Sequence, residues 1–341
     1  MKLALAGDTM LGRNVAERLA AVSPDALFAD GVVDVAHEAD LFVLNLECAI
    51  SDRGELWADP FKPYFFRAPP VAAEVLVHLG VRCVTLANNH ALDFGPDALL
   101  DTFRHLEAVG INWVGAGTHE ARARAPAIVT VDGVRVGIVG LSDHPRGYAA
   151  APDRVGIAYA DLERGLPTWL TDSVGGLDAD IVVVSPHWGP NMVAEPVAHV
   201  RAAAAALRRA GTTLVAGHSA HVFHGVADGI LYDLGDFIDD YATHPELRND
   251  LGLLFLVTFK DAAPTRLEAV PLALDYCYTR LAEGDEAAWI FNRFRRACAA
   301  LGTDVTEQNG RLVVEWEAVQ RPAVAFAGAR PERSRDEARG R

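Results

Sequence analysis

Short apolar runs recur along the chain, and each of them ends in small or polar residues. The runs are KLALAGD, LFVLNLE, CVTLANNH, NWVGAG, IVVVSPHW, TLVAGHS and ILYDLGD. Short segments that are rich in Val, Ile and Leu are typical of strands buried on both faces of a sheet. The pattern therefore predicts several buried strands whose carboxyl ends carry polar residues.

Helical patterns lie between several of the predicted strands. PPVAAEVLVHLG and PDALLDTFRHLEAVG both begin with proline and end with glycine, as many helices do. EPVAHVRAAAAALRRAG is typical of an alanine-rich helix with arginines on its polar side, and DEAAWIFNRFRRACAALG is typical of a late amphipathic helix. Because strands and helices alternate, the sequence predicts an α/β protein.

Two segments break this alternation and predict antiparallel pairs. In IVTVDGVRVGIVGLSD, Asp132 and Gly133 lie between alternating apolar residues, which is a hairpin signal. LGLLFLVTFKD and TRLEAVPLAL predict a second antiparallel pair. We therefore expect mixed sheets with helices outside, in a single domain over residues 1–324. The sequence then becomes strongly charged and ends in RPERSRDEARGR, which predicts a disordered tail over residues 325–341.

Charge and apolar run lengths exclude several classes of partner. The 341 residues include 31 basic and 46 acidic side chains, a formal net charge of -15. Nucleic acids and anionic membrane surfaces both require a basic surface, so we predict neither as a partner. The first apolar run is too short for a signal peptide, and no run approaches the ~20 residues that span a bilayer. Four widely spaced cysteines predict buried, reduced thiols, and we expect a cytoplasmic protein. The oligomeric state stays open.

The residues that could bind a metal ion or take part in catalysis lie where the apolar runs end. They are Asp8, then Asn45 and Glu47, then Asn88, Asn89 and His90, then His187, and then His218 with His221. In open α/β sheets, ligands bind beyond the carboxyl ends of the strands. Carboxylate, amide and imidazole groups together suit a divalent cation, and the absence of cysteine disfavours a closed structural zinc site. We predict one or two divalent ions per chain, with Mn, Zn, Fe, Ni and Ca all open.

Each of these residues also has a purely structural interpretation. Asp8 could cap a helix, Asn88 and Asn89 could close turns, and Glu47 could pair with an arginine. The presence of such groups at the ends of five successive predicted strands is nevertheless hard to assign to chance. In LVAGHSAHVFHG, at 214–225, the last histidine, His224, is expected behind the ligands or at the surface.

Five motifs carry a family resemblance. They are GDTMLGR at 7–13, NLE at 45–47, NNHALDFG at 88–95, HWG at 187–189 and GHSAH at 217–221. Together they resemble the CapA family, which is named for capsule and poly-γ-glutamate synthesis and lies within the calcineurin-like metallophosphatase superfamily. The motifs span roughly residues 2–240. The resemblance implies a four-layer α-β-β-α sandwich with mixed sheets.

The resemblance also implies a role for each motif residue. The implied metal ligands are Asp8, Glu47, Asn89, His187, His218 and His221. Glu47 would bridge two ions, His221 would belong to the first ion, and Asn89, His187 and His218 to the second. His90 would be the acid/base, and Asp93 could orient its imidazole.

The sequence departs from the superfamily pattern at several points. Met10 stands where metallophosphatases usually have a histidine, and Glu47 stands where they usually have aspartate. The first ion is therefore expected to be short of a ligand. Asp236, in YDLGDF, replaces an asparagine that relatives tend to have, and adds negative charge near the strand ends. The amino-terminal membrane anchor that capsule-assembly members tend to carry is not evident.

Two reactions fit a metal flanked by histidines. In hydrolysis, two ions ~3.5–4 Å apart hold a hydroxide that attacks a phosphoester or amide, and His90 protonates the leaving group. In epimerisation, one ion polarises a carbonyl and two bases exchange the Cα proton of a peptide residue. Relatives in the superfamily have been recruited as epimerases of ribosomally made peptides. A peptide or a small molecule is the expected substrate.

Three features narrowly favour epimerisation. The first ion is expected to lack a ligand, the chain is acidic without a basic cluster near the motifs, and the amino-terminal membrane anchor of capsule-assembly members is not evident. The two bases would be His90 and one of Asp8, Asp93, His221 or His224. The alternative is a binuclear-metal hydrolase of phosphoesters or γ-glutamyl amide bonds in poly-γ-glutamate or capsule metabolism. A third possibility is a non-catalytic, metal-binding assembly factor.

Overall fold

The computed structural model describes residues 1–316, so the predicted tail and the last residues of the predicted domain lie outside the described range. The helices are α1 (Arg13–Leu19), α2 (Asp30–Ala36), α3 (Ala72–His78), α4 (Gly95–Ala108), α5 (Glu120–Ala123), α6 (Thr168–Gly175), α7 (Ala198–Ala210) and α8 (Gly284–Ala299). Short 3-10 helices occupy Pro24–Leu27, Arg146–Tyr148 and Leu162–Arg164. None of the helices within residues 1–316 is long and apolar enough to cross a membrane.

The strands are mostly short, and the longest lie late in the chain. They are β1 (Lys2–Thr9), β2 (Leu41–Leu46), β3 (Ala49–Ile50), β4 (Arg67–Ala68), β5 (Val81–Thr85), β6 (Asn112–Val114), β7 (Ala116–Gly117), β8 (Ala127–Val131), β9 (Val134–Ser142), β10 (Gly156–Ile157), β11 (Ile181–His187), β12 (Leu214–Ala216), β13 (Val226–Ala227), β14 (Ile230–Leu231), β15 (Asp236–Ile238), β16 (Leu251–Lys260), β17 (Ala263–Asp275), β18 (Tyr278–Leu281), β19 (Thr306–Gln308) and β20 (Arg311–Glu315).

Two large mixed sheets form the centre of the molecule. The first has ten strands in the order β19-β20-β17-β16-β1-β2-β5-β6, with β15 beside β1 and β18 beside β17. The second has six strands in the order β13-β14-β12-β11-β9-β8. In the first sheet β1, β2, β5 and β6 run parallel, and in the second β9, β11, β12 and β14 do. Their carboxyl ends supply the candidate site.

Alternate residues of the strands point into different apolar layers. On β1, Leu3 and Leu5 lie in a core that also contains Ile138 and Val183 from the second sheet, so this core fills the space between the sheets. Ala4, the intervening residue, belongs to a core shared with the helices α1 to α4. On the far side of the second sheet, residues of β9 and β11 pack against α6 and α7. These layers confirm the predicted α-β-β-α sandwich.

The predicted local elements are present. The hairpin at Asp132 and Gly133 joins β8 to β9, and both residues have positive φ angles of 48° and 83°. Positive φ at both central positions is the requirement of a tight hairpin turn, and glycine meets it at no steric cost. The second predicted pair is β16 with β17, and it is antiparallel. The four cysteines are buried free thiols, as predicted.

Candidate metal centre

The site forms where the carboxyl ends of the two sheets meet. On β1, Asp8 is the register partner of Asn45 on β2 and of Asp236 on β15. At the end of β11 in the second sheet, His187 forms an isolated bridge with His218, which follows β12. Parallel strands place their carboxyl ends at one edge, so residues that are far apart in sequence meet here.

One candidate ion position is formed by Asp8, His187 and His218, all of which are buried. Asp8 Oδ1 lies 3.9 Å from His187 Nδ1 and 3.7 Å from His218 Nδ1. The two Nδ1 atoms are 2.8 Å apart. Two nitrogen ligands with bonds of ~2.0–2.1 Å would be ~3.3 Å apart around a tetrahedral ion and ~2.9 Å apart at a right angle, so this spacing is closer to that of a right-angled pair.

A second candidate position is formed by Asp8, His221 and Asp236. His221 Nδ1 lies 3.4 Å from Asp8 Oδ2 and 2.8 Å from Asp236 Oδ1. Asp236 lies where it could supply the ligand that the first ion was expected to lack, and that expectation stays a prediction. Met10, by contrast, is fully buried in the apolar core of the helical side.

Glu47 lies beside both positions without belonging to either group of three. Its Oε1 atom is 4.0 Å from His187 Nε2 and 4.0 Å from His90 Nε2, and its Oε2 atom accepts a hydrogen bond from Tyr241 at 3.3 Å. The residue common to both groups is Asp8, so Asp8 is better placed than Glu47 to bridge two ions.

Unpaired buried atoms support the presence of cations. Four side-chain atoms of the site have no hydrogen-bond partner among residues 1–316: Glu47 Oε1, Asn89 Oδ1, His187 Nε2 and Asp236 Oδ2. A buried polar atom without a partner costs about 1–3 kcal/mol, so four of them are expected only where something else binds them. Oxygen and imidazole donors of this kind fit a borderline divalent ion.

The ionisable groups of the site also support bound cations. Burial raises the pKa of Asp8, and burial together with the nearby Asp8 carboxylate raises the pKa of Glu47 well above its usual range. Burial also raises the pKa of Asp236 well above its usual range, and Asp239 and Asp8 add to this effect. Such a set of carboxyl groups is not stable as free anions, so protons or cations must neutralise it.

Two of the three histidines have the protonation state that a metal ligand requires. Burial lowers the pKa of His218 to about 3 and the pKa of His187 well below its usual range, so both imidazoles are neutral at neutral pH. Neutral imidazole is the form that binds a metal ion. At His221 burial lowers the pKa, but the charges of Glu47 and Asp8 outweigh burial and the net shift is upward.

The loop that carries His218 and His221 has an unusual backbone. Ser219 and His221 have φ angles of 121° and 59°, in the region that favours glycine. Asp233 holds this geometry, because its carboxylate accepts hydrogen bonds from the backbone N–H groups of Ala220 at 2.8 Å and Gly235 at 2.9 Å. Backbone strain of this kind concentrates at functional sites and is held in place by its surroundings.

His90 is held in one orientation by Asp93. The Asp93 carboxylate lies 2.6 Å from His90 Nδ1 and also accepts from the Tyr148 hydroxyl at 2.9 Å and the Phe66 backbone N–H at 2.7 Å. Lys62 Nζ lies 3.0 Å from the same carboxylate. With Nδ1 bound, His90 presents Nε2 toward Glu47, and Asp93 itself has no free oxygen for substrate. Burial lowers the pKa of His90 to about 4, against the opposing effect of Asp93.

The remaining predicted residues have supporting positions. Asn45 donates to Asp8 Oδ1 at 2.7 Å, and Asn88 donates to Asn45 and accepts from the His90 backbone N–H. His224 Nε2 lies 2.9 Å from the Val193 carbonyl oxygen, and His224 belongs to neither candidate ion group. The structure therefore does not bring His224 to the ions, in line with the expected position behind the ligands.

Sequence reasoning missed Tyr241, Tyr148 and Lys62. None of them lies at a strand end within the five motifs, and their positions depend on how distant loops fold over the site. Asp236 was noted only as a source of charge, although it follows a glycine in YDLGDF as Asp8 follows Gly7. It is the first residue of β15, so the rule that ligands follow strand ends did not select it.

The comparison with known families assigns the fold and the motifs to one group. The family described as "Bacterial capsule synthesis protein PGA_cap" matches residues 2–241, which include every candidate ligand. The chain belongs to this family. The PGA_cap match confirms the resemblance inferred from the five motifs, and it ends at Tyr241, which contacts Glu47.

Individual relatives agree with this membership. The "Probable polyglutamine synthesis accessory protein" of Mycobacterium tuberculosis is 34% identical over 297 residues, covering 80% of this chain and 76% of its own. The "PGA biosynthesis protein CapA" of Bacillus subtilis is 29% identical over 241 residues, covering 69% of this chain and 62% of its own. Among solved structures, a 5'-nucleotidase precursor from Thermus thermophilus has 17% identity and a TM-score of 0.44, covering 80% of this chain and 54% of its own.

Proposed function

We propose that this PGA_cap family member is a metal-dependent hydrolase that cleaves a γ-glutamyl amide bond in a glutamate polymer. The observation that carries the proposal is the pair of candidate ion positions that share Asp8, with the His90–Asp93 pair beside them. The names of two relatives, which refer to polyglutamine synthesis and to PGA biosynthesis, support the choice of polymer.

The residues of the candidate centre would have three different roles in this reaction. Asp8, Glu47, Asn89, Asp236 and the histidines of the centre would hold the cations. Bound divalent ions would supply a water of lowered pKa and neutralise negative charge that develops on the reacting group. Neutral His90, fixed through Nδ1, can accept a proton at Nε2 and return it to a leaving amine or alkoxide. Asp93 is a positioning residue, because all of its contacts are to other protein groups.

Two of the features that favoured epimerisation carry less weight in the folded protein. Asp236 is placed to add a ligand at the second candidate ion position. Lys62, which contacts Asp93, joins Arg13 as a cationic side chain near the motifs. The comparisons support the hydrolase alternative better than the epimerase prediction, which stays a prediction without support.

The test uses the full chain loaded with Mn²⁺ and two probes, an oligo-γ-glutamate and an aryl phosphate. The proposal expects shortened glutamate oligomers, with cleavage abolished in His90→Ala although the metal content is unchanged. His105→Ala, on the outer helix α4, is the matched histidine control and should cleave like the wild type. Cleavage of the aryl phosphate alone would reassign the enzyme to phosphoesters. Cleavage of neither probe would contradict the hydrolase proposal.

A further inference from the structure

A cavity rich in arginine lies outside the metal centre. Its volume is about 400 Å³, and its lining includes four arginines on four different segments: Arg124, Arg146, Arg154 and Arg164. Tyr159 adds a hydroxyl to the same wall. In a chain with a net charge of -15, a cavity with this composition is a local exception to the acidic character of the protein.

The arginines are not all neutralised by the protein. Arg124 pairs with Glu120 at 2.6 Å, and Arg164 pairs with Asp161 at 3.0 Å. Arg154 donates to the Ala149 carbonyl at 2.8 Å. Within the described part of the chain, no ion pair joins Arg146 or Arg154 to a carboxylate. The lining therefore keeps an excess of two positive charges.

The cavity is connected to the metal centre through one short segment. Arg146 and Ala149 line the cavity, and Tyr148 between them reaches the other way to donate its hydroxyl to Asp93. Two residues span at most ~7 Å of chain, so the cavity wall begins close to the residue that orients His90. The cavity and the His90–Asp93 pair therefore border the same short segment, residues 146–149.

We propose that this cavity binds the free carboxylates of an acidic, chain-like substrate. Guanidinium groups bind carboxylates through paired, charge-assisted hydrogen bonds. Arginines on separate segments suit single charges spaced along a chain better than the concentrated charge of a compact dianion such as phosphate. The inference rests on the proposed function for the identity of the polymer, and it adds a site away from the reacting bond that would hold the substrate.

The test is a binding measurement, which separates this proposal from the hydrolase proposal. The full-length, metal-free protein is titrated by calorimetry with a hexamer of γ-glutamate, under conditions without turnover. We expect binding by the wild type and a loss of about ten-fold or more in affinity for the double variant Arg146→Gln/Arg154→Gln. Because both arginines are exposed, the double variant should fold, which far-UV circular dichroism checks.

The matched control is Arg82→Gln/Arg209→Gln, which removes the same charge from two exposed arginines elsewhere. It should bind the hexamer like the wild type, and a hexamer of glutamine should not bind. Equal affinity in wild type and Arg146→Gln/Arg154→Gln, or no binding at all, would overturn the proposal. Binding of pyrophosphate but not of the glutamate hexamer, with the same dependence on Arg146, would also overturn it and assign the cavity to phosphate.

Discussion

Asp8 and Asp236 are register partners on adjacent parallel strands, and His221 lies within reach of both carboxylates. His221 Nδ1 is 3.4 Å from Asp8 Oδ2 and 2.8 Å from Asp236 Oδ1. Two buried carboxylates side by side repel each other unless a proton or a cation lies between them. This relationship supports Asp236 as a candidate ligand of the ion position that the sequence left incomplete.

Asp236→Asn should therefore weaken metal binding but increase the stability of the metal-free protein. Mn²⁺ affinity, measured by calorimetry on the full chain, should fall at least about ten-fold. The metal-free form should gain stability, because the substitution removes a buried carboxyl group whose pKa is raised by burial and by Asp239. Asp240→Asn, which changes a nearby carboxylate outside both ion groups, is the control for affinity. Unchanged Mn²⁺ binding in Asp236→Asn would contradict the assignment.

Asp93→Asn tests whether Asp93 acts through His90. Without the carboxylate, His90 loses the partner that fixes its Nδ1, and the turnover rate should fall by about 10²- to 10⁴-fold. The metal content should stay the same. If the two residues act as one unit, the double variant Asp93→Asn/His90→Ala should be no slower than His90→Ala alone. Losses that simply multiply would show that the residues act independently.

Gly7 is required by the close approach of β1 to the segment before β15. A Cβ atom at this position would lie 1.9 Å from the Gly235 carbonyl oxygen, and Asp8, the next residue, donates its N–H to that oxygen. Gly7→Ala should destabilise the protein by about 1–3 kcal/mol in urea unfolding. Gly175→Ala, where the nearest atom is 3.9 Å away, should stay within about 1 kcal/mol of the wild type. Equal stability of the two variants would contradict this interpretation of the motif.

His224 predicts an acid-sensitive contribution to stability. Burial lowers its folded-state pKa to about 4, from an ordinary value of 6.5. The unfolded chain therefore binds a proton that the folded chain does not, and this contribution is lost as the pH falls from about 6.5 to about 4. The difference corresponds to roughly 3 kcal/mol. His224→Gln should flatten the fall of the melting temperature over this range. If the melting temperature of the variant falls with pH as steeply as that of the wild type, His224 is accessible to protons in the folded state.

The candidate ligands at the strand ends could be named from the sequence, because each one follows a buried strand whose period and composition are local properties. Asp8, His187 and His218 were found in this way, and so was the hairpin at Asp132. The family resemblance placed the bridging role on Glu47, and the structure adds Asp8 as a candidate because it belongs to both groups of three. Membership of these groups depends on which strands become neighbours. The pairing of β15 with β1 is a long-range contact between residues 228 positions apart, Asp8 and Asp236, and no local pattern encodes it.

The supporting contacts were beyond sequence reasoning for the same reason. Tyr148 and Lys62 reach Asp93 from separate loops, and Tyr241 reaches Glu47 across 194 residues of chain. Their side chains carry no periodic signal. The arginine-lined cavity was missed because its members are spread between residues 124 and 164 and form a cluster only after folding.

The central claim is that the chain hydrolyses a bond with water rather than exchanging a proton at carbon. The direct test is to incubate the Mn²⁺-loaded protein with oligo-γ-glutamate in D₂¹⁸O and to analyse the products by mass spectrometry. The account predicts shortened oligomers whose new carboxylate contains one ¹⁸O atom, with no deuterium at Cα. Oligomers of unchanged length that have gained deuterium at Cα would contradict it.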